Sequence, residues 1–591
     1  MRQIHYFIFS LLAVAAIILS SCEKDKDEVV QPAITNQSWQ EGVPIEITPN
    51  QTLAVTFNAA AKWTASTNSI WCEVLTKSGK KGESTLQLLT KSGTTTDRTS
   101  EILITVEGYD KAVSFQVTQK AGEIPQEETE DMKVNTKVAE YLRANYLWND
   151  EYKTLTLDYT KNYEDFFYEP LKAMETNTLD KKPSYVGSDG KTHYTLFSYI
   201  QKKNPVTKTR AKLVEKELSY SFGITGITPF EIGKDSLCFV IQGVYPDSPA
   251  TAAGLKRGFI IGKVNNERLS ESNWIDNYYA LRTPNAISSL TLTEIEVANR
   301  KWKETKNISL TSDAIYLNPV ITSKVTEIDG HKIGYLVYSE FEASFDQELF
   351  DAFKKFKTHN VTDLILDLRY NKGGHIISAN LIASCIAAET SEGKVFSSLR
   401  YNRERMEKRG NKRKDEPFAY PDLYPNLDEK LTEGGLGLKK VYCLVGGGTA
   451  SSSEMVINSL KGIDLEVILI GKTTTGKNVG MEVENFAVEG NVYEVVPITF
   501  QCYNAKGFGD YEKGFKPDWD INEVNLPKVY PDYGTDDEPL YAKAIELITG
   551  KNPMTSATTR GSGKTLKCKE LKAPAIYRPG YNAMLKEYEE D

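Results

Sequence analysis

The sequence contains few of the residues that usually mark a metal site or a disulfide framework. Its 591 residues include only five histidines and seven cysteines, with no close His/Cys cluster. Apart from Cys22, the cysteines are scattered singly, mostly inside apolar runs, which predicts core thiols. They are Cys72, Cys238, Cys385, Cys443, Cys502 and Cys568. We therefore expect no metal, no organic cofactor and no disulfide scaffold.

The sequence also lacks an excess of positive charge. It has 71 Lys and Arg residues against 80 Asp and Glu residues, a net charge of −9, so its composition gives no reason to expect a nucleic-acid partner. Hydrophobic residues make up 40% and charged residues 26%, which is ordinary for a globular protein. No internal repeat is present. A chain of this length is too long for a single core, so several domains are expected.

The first apolar run, Tyr6–Leu19, is too short for a membrane-spanning helix. It leads into Leu19-Ser20-Ser21-Cys22, which resembles a bacterial lipobox. The resemblance implies a lipoprotein signal peptide over residues 1–21, a lipidated Cys22 and a bacterial outer-membrane lipoprotein facing the periplasm or the cell surface. An acidic linker is predicted over residues 22–33. The alternative is an ordinary secretory signal followed by a chance cysteine.

The stretch Val441–Lys477 has the layout that a serine nucleophile with an amine base requires. Its turn of small residues can present a serine hydroxyl above a sheet edge, beside the free N–H groups of a helix start. The second strand and its loop then deliver a lysine. The predicted elements are a strand at Val441–Val445, a turn at Gly446–Ser453, a helix at Glu454–Lys461, a strand at Leu465–Ile470 and a loop at Gly471–Lys477.

Three ordered motifs resemble the S41 family of carboxyl-terminal processing proteases. They are Leu364–Gly374 (LILDLRYNKGG), Gly448–Glu454 (GTASSSE) and Thr475–Lys477 (TGK). The resemblance implies that Ser451 is the nucleophile and Lys477 the base. A lysine can act as a base near pH 7 only if burial lowers its pKa.

Stabilising the tetrahedral intermediate requires N–H donors. The backbone of Ser452 follows the nucleophile at a helix start, and Gly374 ends a strand, so these two are the predicted oxyanion hole. The sequence does not separate Gly374 from Gly373. Ser451 also stands three residues before Glu454, so it could instead serve as a helix-capping serine.

Other assignments remain open around this site. Met481 stands where many S41 enzymes carry a lysine-orienting glutamine, so the third catalytic partner is not identified. Strand alternation would point the neighbouring Glu482 to the opposite face. His375 could be the base of a Ser-His scheme. Gly471–Asn478 nearly matches a phosphate-binding loop, but Asn478 replaces the required hydroxyl residue and a strand pattern follows where such a loop opens a helix.

The rest of the chain predicts a multidomain fold. An all-β sandwich over 34–121 resembles a BACON module and implies a spacer or a carbohydrate-binding role. Residues 132–218 are predicted to be mostly helical. Residues 219–312 resemble a PDZ domain, which adds an extended peptide to a sheet edge. An α/β S41 peptidase core follows over 313–550, and residues 551–591 form a C-terminal tail.

The sequence therefore predicts an envelope-anchored serine endopeptidase with a Ser-Lys mechanism, acting on peptides or unfolded proteins. Its anchor would contact the membrane through lipid, and its N-terminal module could contact glycans. The alternative is a catalytically inactive surface lipoprotein that binds carbohydrate, mucin or peptides. Neither prediction fixes the oligomeric state.

Overall fold

The structure is a computed structural model. It describes residues 32–91, 94, 96–121, 128–186, 192–203, 216–233, 236–298, 301–422, 424–525, 528–556, 569–571 and 584–585. The predicted signal peptide and Cys22 lie outside these residues. The chain divides into two compact units with a boundary between Gln126 and Glu127. None of the helices in these ranges combines the length and the apolar composition needed to cross a membrane.

The described residues of the first unit form nine strands in two sheets. Their orders are β1-β3-β7-β5 and β2-β9-β8-β4-β6. Both sheets contribute to one hydrophobic cluster, in which Trp63 is 1% exposed. Trp63 is therefore a core residue and offers no surface platform. The strands are β1 Ile34–Thr35, β2 Ile45–Glu46, β3 Thr52–Ala59, β4 Trp63–Thr67, β5 Cys72–Val74, β6 Ser78–Gly79, β7 Gly82–Thr90, β8 Arg98–Val106 and β9 Val113–Gln119.

The second unit begins with helices and continues in strands. The elements are α1 Glu130–Asn145, α2 Asn149–Tyr152, α3 Tyr163–Ala173, β10 Lys181–Val186, β11 Thr192–Leu196 and β12 Tyr199–Lys203. The prediction of a mostly helical segment over 132–218 is therefore wrong for the residues of β10, β11 and β12. β10 and β11 form a hairpin, and β12 pairs with Asn491–Val496. Because the partner of β12 lies some 290 residues away along the chain, the local sequence does not indicate that this segment forms a strand.

The next domain is an antiparallel sheet in the order β19-β18-β16-β15-β14, with β17 beside β16 and a separate β13–β20 pair. Its core includes Phe222 and Ile224, which flank Gly223 at the start of β14. The elements are β13 Ser219–Ser221, β14 Ile224–Gly233, β15 Ser236–Val244, α4 Pro249–Ala252, β16 Ile260–Val264, β17 Glu267–Arg268, α5 Trp274–Arg282, β18 Ser289–Ala298, β19 Lys301–Thr311 and β20 Asp313–Ile315.

The catalytic region centres on a six-stranded sheet in the order β21-β22-β23-β26-β27-β32, in which every pair after β21–β22 is parallel. A second sheet runs β25-β24-β31-β28, and β30 pairs with β12 on one side and β29 on the other. The strands are β21 Val320–Ile328, β22 His331–Tyr338, β23 Asp363–Asp367, β24 Val395–Tyr401, β25 Lys414–Pro417, β26 Lys440–Val445, β27 Glu466–Gly471, β28 Val479–Glu482, β29 Glu484–Val488, β30 Asn491–Val496, β31 Ile498–Tyr503, β32 Trp519–Asp520, β33 Val524–Asn525 and β34 Lys528–Val529. The helices are α6 Asp346–Thr358, α7 Ile376–Ala387, α8 Arg403–Lys408, α9 Ser452–Gly462 and α10 Pro539–Thr549.

Alternation along the parallel strands explains the layers on either side of the main sheet. In β23, Leu364 and Leu366 pack with residues of α6, α7 and α9, while Ile365 packs with α10 on the opposite face. A strand buried on both faces must be apolar in its buried centre, as β23 is at Leu364–Leu366 and β26 is at Val441–Val445. The prediction of a multidomain chain with mixed sheets and helices is confirmed. The five cysteines within the described ranges are buried thiols, as predicted.

A buried arginine joins the β14–β19 domain to the catalytic region. Arg257 is 4% exposed, stacks over Tyr530 and Tyr533, and donates to Glu523 at 2.9 Å. The same Glu523 oxygen accepts a hydrogen bond from Arg369, also at 2.9 Å. Two cations therefore share one carboxylate at this contact, and removing Glu523 would leave the buried Arg257 guanidinium without its carboxylate partner.

Two short strands end the described chain, β35 Lys569–Glu570 and β36 Met584–Leu585. The first pairs with β14 and the second with β28. Residues predicted only to be a tail thus add strands to two sheets of the second unit.

Candidate active site

Ser451 lies at the turn between β26 and α9, at the carboxyl end of a parallel strand. Its backbone has φ 56° and ψ −117°, in the left-handed region that residues with a side chain rarely adopt. Such strain, about 1–3 kcal/mol, persists only where the surrounding structure imposes it. A sharp strand-to-helix turn of this kind lifts the serine hydroxyl to the edge of the sheet.

The three successive serines differ in what their hydroxyls bind. The Ser452 hydroxyl donates to the Gly374 carbonyl at 2.7 Å, and the Ser453 hydroxyl donates to the Asn371 carbonyl at 3.0 Å. Ser451 Oγ is buried and has no hydrogen-bond partner among the described residues. Ser451 and Glu454 occupy the positions of a capping box, but Ser451 Oγ makes no side-chain cap hydrogen bond to α9. Of the three hydroxyls it is therefore the one left available for chemistry.

The glycine pair that follows β23 closes against this serine. A Cβ on Gly373 would lie 2.6 Å from Ser451 Cβ, and one on Gly374 would lie 2.1 Å from the Phe341 carbonyl oxygen, so neither position has room for a side chain. The Gly373 N–H donates to Asn371 Oδ1 at 2.9 Å. Within the described ranges no acceptor lies opposite the Gly374 N–H. Gly374 therefore offers the free donor that the sequence could not distinguish from Gly373.

The second predicted donor, the Ser452 backbone, is placed by α9. Ser452 is the first residue of this helix, so its N–H has no acceptor within the helix. A Cβ atom added to Gly373 would lie 3.0 Å from the Ser452 nitrogen. The Ser452 N–H and the glycine pair therefore border the same space beside Ser451.

The Glu454 carboxylate joins the serine turn to the lysine loop. Its Oε2 accepts both the Ser451 N–H at 3.1 Å and the Lys477 N–H at 2.8 Å. Its Oε1 accepts the Gly476 N–H at 2.7 Å and the Thr474 hydroxyl at 2.5 Å. The backbone nitrogens of Ser451 and Lys477 are thus separated by a single oxygen atom, which brings the two predicted catalytic residues together.

Lys477 is 2% exposed and surrounded largely by apolar groups. Its Nζ lies 4.6 Å from the centre of the Phe197 ring and 3.7 Å from Met481 Sδ. Burial lowers the pKa of Lys477 from its ordinary 10.5 to about 7, although the negative charges of Asp180 and Glu454 oppose this shift. A lysine with such a pKa is substantially neutral at physiological pH and can accept a proton.

Sequence reasoning missed the contribution of the segment that precedes the β14–β19 domain. Asp180 is fully buried and accepts hydrogen bonds from the Ser198 hydroxyl at 2.6 Å and the Phe197 N–H at 2.8 Å. These bonds fix the backbone that carries the Phe197 ring over Lys477. No local signal could have revealed this, because the two residues are 280 positions apart and their contact depends on how the domains fold together.

The strand after the lysine separates Met481 from Glu482. Met481 is fully buried and turns its sulfur to Lys477, where a thioether is only a weak hydrogen-bond acceptor. Glu482 instead accepts from Arg405 at 3.0 Å. The expectation that alternation points these two side chains to opposite faces agrees with these contacts. The position of the expected glutamine thus supplies an apolar neighbour to Lys477.

The structure also bears on the alternative assignments of His375 as a base and of Gly471–Asn478 as a phosphate-binding loop. His375 Nδ1 lies 3.2 Å from both the Ala343 N–H and the Phe341 carbonyl, which orients its ring toward that segment. The glycine-containing loop at Gly471–Asn478 leads into strand β28 and not into a helix, as the sequence pattern predicted. Over the described residues, no group of three or more His, Cys, Asp and Glu side chains is arranged to hold a metal ion.

Fold and site together define an α/β region in which a buried serine, whose hydroxyl has no partner among the described residues, and a buried lysine follow neighbouring parallel strands. Comparison with known families agrees with this class. Residues 332–521 match Peptidase family S41, and residues 133–199 match the Peptidase S41 N-terminal domain. The region that carries Ser451 and Lys477 belongs to peptidase family S41.

The similar proteins include carboxyl-terminal-processing peptidases and a solved S41 protease structure. The chain is 25% identical over 301 residues to carboxyl-terminal-processing peptidase 2 of Arabidopsis thaliana, a match that covers 49% of this chain and 50% of that protein. It is 23% identical to the carboxy-terminal processing protease CtpB of Bacillus subtilis, over 52% and 57% of the two chains. The chain thus spans just over half the length of these relatives. A crystal structure of an S41 protease from Bacteroides fragilis superposes with a TM-score of 0.54 at 25% identity, covering 72% of this chain and 99% of that one.

Glu454 provides a direct test of how the site is held together. We expect Glu454→Gln to destabilise the protein by about 2–4 kcal/mol, because an amide nitrogen cannot accept the N–H groups that a carboxylate oxygen holds. We also expect kcat to fall at least about tenfold, because the Ser451 turn and the Lys477 loop lose their common acceptor. Urea unfolding and steady-state peptide cleavage would measure the two effects.

Glu466→Gln is the matched control for this substitution. Glu466 lies on β27 in an exposed ion pair with Lys440 at 3.0 Å, so its replacement should change stability by less than about 1 kcal/mol. Equal stability and equal kcat for the two variants would contradict the proposed role of Glu454.

Proposed function

We propose that the protein is a serine endopeptidase that cleaves peptides or unfolded proteins through Ser451 and Lys477. One observation carries the proposal: Ser451, whose buried hydroxyl has no hydrogen-bond partner among the described residues, and Lys477, whose pKa burial lowers to about 7, donate their backbone N–H groups to the same Glu454 oxygen. A structural serine in a core would use its hydroxyl, and a structural lysine would extend to water.

The proposed reaction uses the Ser451 hydroxyl as nucleophile, the Lys477 amine as base and two backbone N–H groups as oxyanion donors. Neutral Lys477 takes the Ser451 hydroxyl proton as Oγ bonds to the scissile carbonyl carbon. The N–H groups of Gly374 and Ser452 bind the oxyanion that forms. As the C–N bond breaks, protonated Lys477 returns the proton to the leaving amine. Water then hydrolyses the acyl ester with Lys477 again acting as base, which restores the serine.

The remaining parts of the proposal concern substrate and location. The β14–β19 domain has the sequence features of a PDZ domain, and its antiparallel sheet supports a role in taking up an extended peptide at an edge. The two-sheet N-terminal unit is proposed to be a BACON-like spacer with glycan-binding capacity. We further propose that lipid on Cys22 anchors the chain to the bacterial envelope.

Covalent labelling would test the peptidase proposal at the atom that carries it. The purified chain is incubated with a fluorescent aryl phosphonate, and the labelled peptide is identified by mass spectrometry, alongside a casein-degradation assay. We expect one label on Ser451 and loss of casein cleavage in proportion to labelling. A chain that neither reacts at Ser451 nor degrades casein would instead favour a non-catalytic surface lipoprotein.

A further inference from the structure

The outer edge of β14 is occupied by a segment from the end of the described chain. β14 pairs on one side with β15 and on the other with β35. The pairing with β35 is antiparallel, with Glu231 opposite Lys569 and Phe230 opposite Glu570. The Leu571 N–H extends this ladder by donating to the Pro229 carbonyl at 3.0 Å.

Leu571 gives this added strand an apolar anchor. Its side chain is partly buried and packs against the hydrophobic cluster of the β14–β19 domain, which contains Phe222 and Ile224 from the start of β14. Lys569, in contrast, lies at the surface, and its Nζ is 3.7 Å from Glu231 in a largely exposed ion pair. The segment therefore holds the edge by main-chain hydrogen bonds and one apolar side chain.

These features are those of a peptide bound by strand addition. Main-chain hydrogen bonds to an open sheet edge provide affinity, and a pocket for an alternate side chain provides selectivity. To bind such a peptide, the edge strand must have unpaired backbone groups on its outer side. The strand that follows the Phe222–Ile224 turn is β14. The segment that occupies this edge comes from the same chain.

The same part of the chain also pairs with the strand that follows the lysine loop. β36 is parallel to β28, with Met584 opposite Met481 and Leu585 opposite Glu482. β28 begins two residues after Lys477. One end of the chain thus pairs both with the open edge of the β14–β19 domain and with a strand beside the proposed base.

We propose that Lys569–Leu571 is an internal ligand of the β14 edge, with which substrate peptides must compete. This inference rests on the proposed function, in which the β14–β19 domain takes up extended peptides. A contact this short is weak as a free peptide, but its attachment to the same chain gives it a high effective concentration. Displacing it opens the edge, so an extended peptide with an apolar residue at the Leu571 position is the kind of partner that this surface fits.

Peptide binding in a chain that cannot cleave would test the proposal. All variants carry Ser451→Ala, and the probe is a fluorescein-labelled synthetic peptide covering residues 565–573 with Cys568→Ser. Fluorescence anisotropy would compare the full chain, a Leu571→Pro variant and a chain shortened to end at Ser556. Leu571→Pro removes both the N–H donor to Pro229 and the apolar anchor, and thermal melts verify that each variant is folded.

We expect the shortened chain and Leu571→Pro to bind the probe at least about tenfold more tightly than the full chain. Lys569→Ala is the matched control, because it removes only an exposed ion pair and should leave the Kd within about twofold. Identical affinity of the full and shortened chains, or no binding by either, would overturn the proposal. Since the readout does not require Ser451, a failure of the peptidase assignment would appear separately, as absent casein cleavage by the unsubstituted chain.

Discussion

Ser451→Ala should lower the rate of peptide hydrolysis by at least about 10⁴-fold. The substitution removes the nucleophile itself, and the neighbouring hydroxyls of Ser452 and Ser453 cannot substitute because they are bound to the Gly374 and Asn371 carbonyls. The variant should remain folded with unchanged or slightly higher stability, since the lost hydroxyl is buried and has no hydrogen-bond partner among the described residues. Initial rates on a quenched fluorescent peptide and thermal melts would measure both effects.

Ser453→Ala is the matched control, because it deletes a hydroxyl of the same kind two residues away. This variant should lose about 1 kcal/mol of stability with its hydrogen bond to Asn371 and keep most of its activity. The opposite pattern, with cleavage retained in Ser451→Ala and lost in Ser453→Ala, would assign the nucleophile elsewhere on this turn.

The pH dependence of kcat/KM should show a rising limb centred near pH 7. Lys477 acts as a base only when neutral, and burial lowers its pKa to about 7, so activity should fall about tenfold for each pH unit below that value and level off above it. Lys477→Met should abolish cleavage across the whole range, because a thioether cannot take the serine proton. A profile that is flat between pH 5 and 8 would contradict the role of Lys477, as would activity in Lys477→Met.

The same pKa shift predicts a gain in stability on removing the lysine. The folded pKa lies below the ordinary value of 10.5, so the folded chain resists protonation, and this penalty is complete below pH 7 and disappears as the pH approaches 10.5. Lys477→Met should therefore raise the free energy of unfolding at pH 7 by about 1–4 kcal/mol. Lys472→Met, at an exposed lysine earlier in the same loop, should alter neither the stability nor the pH profile.

The core elements around the site could be predicted because their signals are local. The apolar strands predicted at Val441–Val445 and Leu465–Ile470 agree with β26 and β27 to within one residue at each end. Strands buried on both faces must be apolar throughout, and the small residues at their ends mark the turns. The same signals predict that Ser451 and Lys477 lie in the segments that follow these two strands.

What the sequence could not predict depends on contacts between distant segments. The Phe197 ring reaches Lys477 only because β12 pairs with β30, and no periodicity in residues 181–203 indicates that partner. The sequence also could not show which of the three consecutive serines keeps its hydroxyl available. That depends on the Gly374 and Asn371 carbonyls, which accept hydrogen bonds from Ser452 and Ser453. Likewise, Gly373 and Gly374 differ only through the Asn371 side chain that accepts one of their N–H groups.

The arginine shared between the β14–β19 domain and the catalytic region limits how these parts can be separated. Excising residues 219–312 as an independent cassette would remove Arg257 and leave Glu523 with Arg369 as its one remaining cationic partner, while the aromatic faces of Tyr530 and Tyr533 would become solvent-exposed. A graft of a similar domain from another protein would need to bring a guanidinium to the same point. Shuffling of this domain between relatives is therefore constrained at a single side chain as well as at its two linkers.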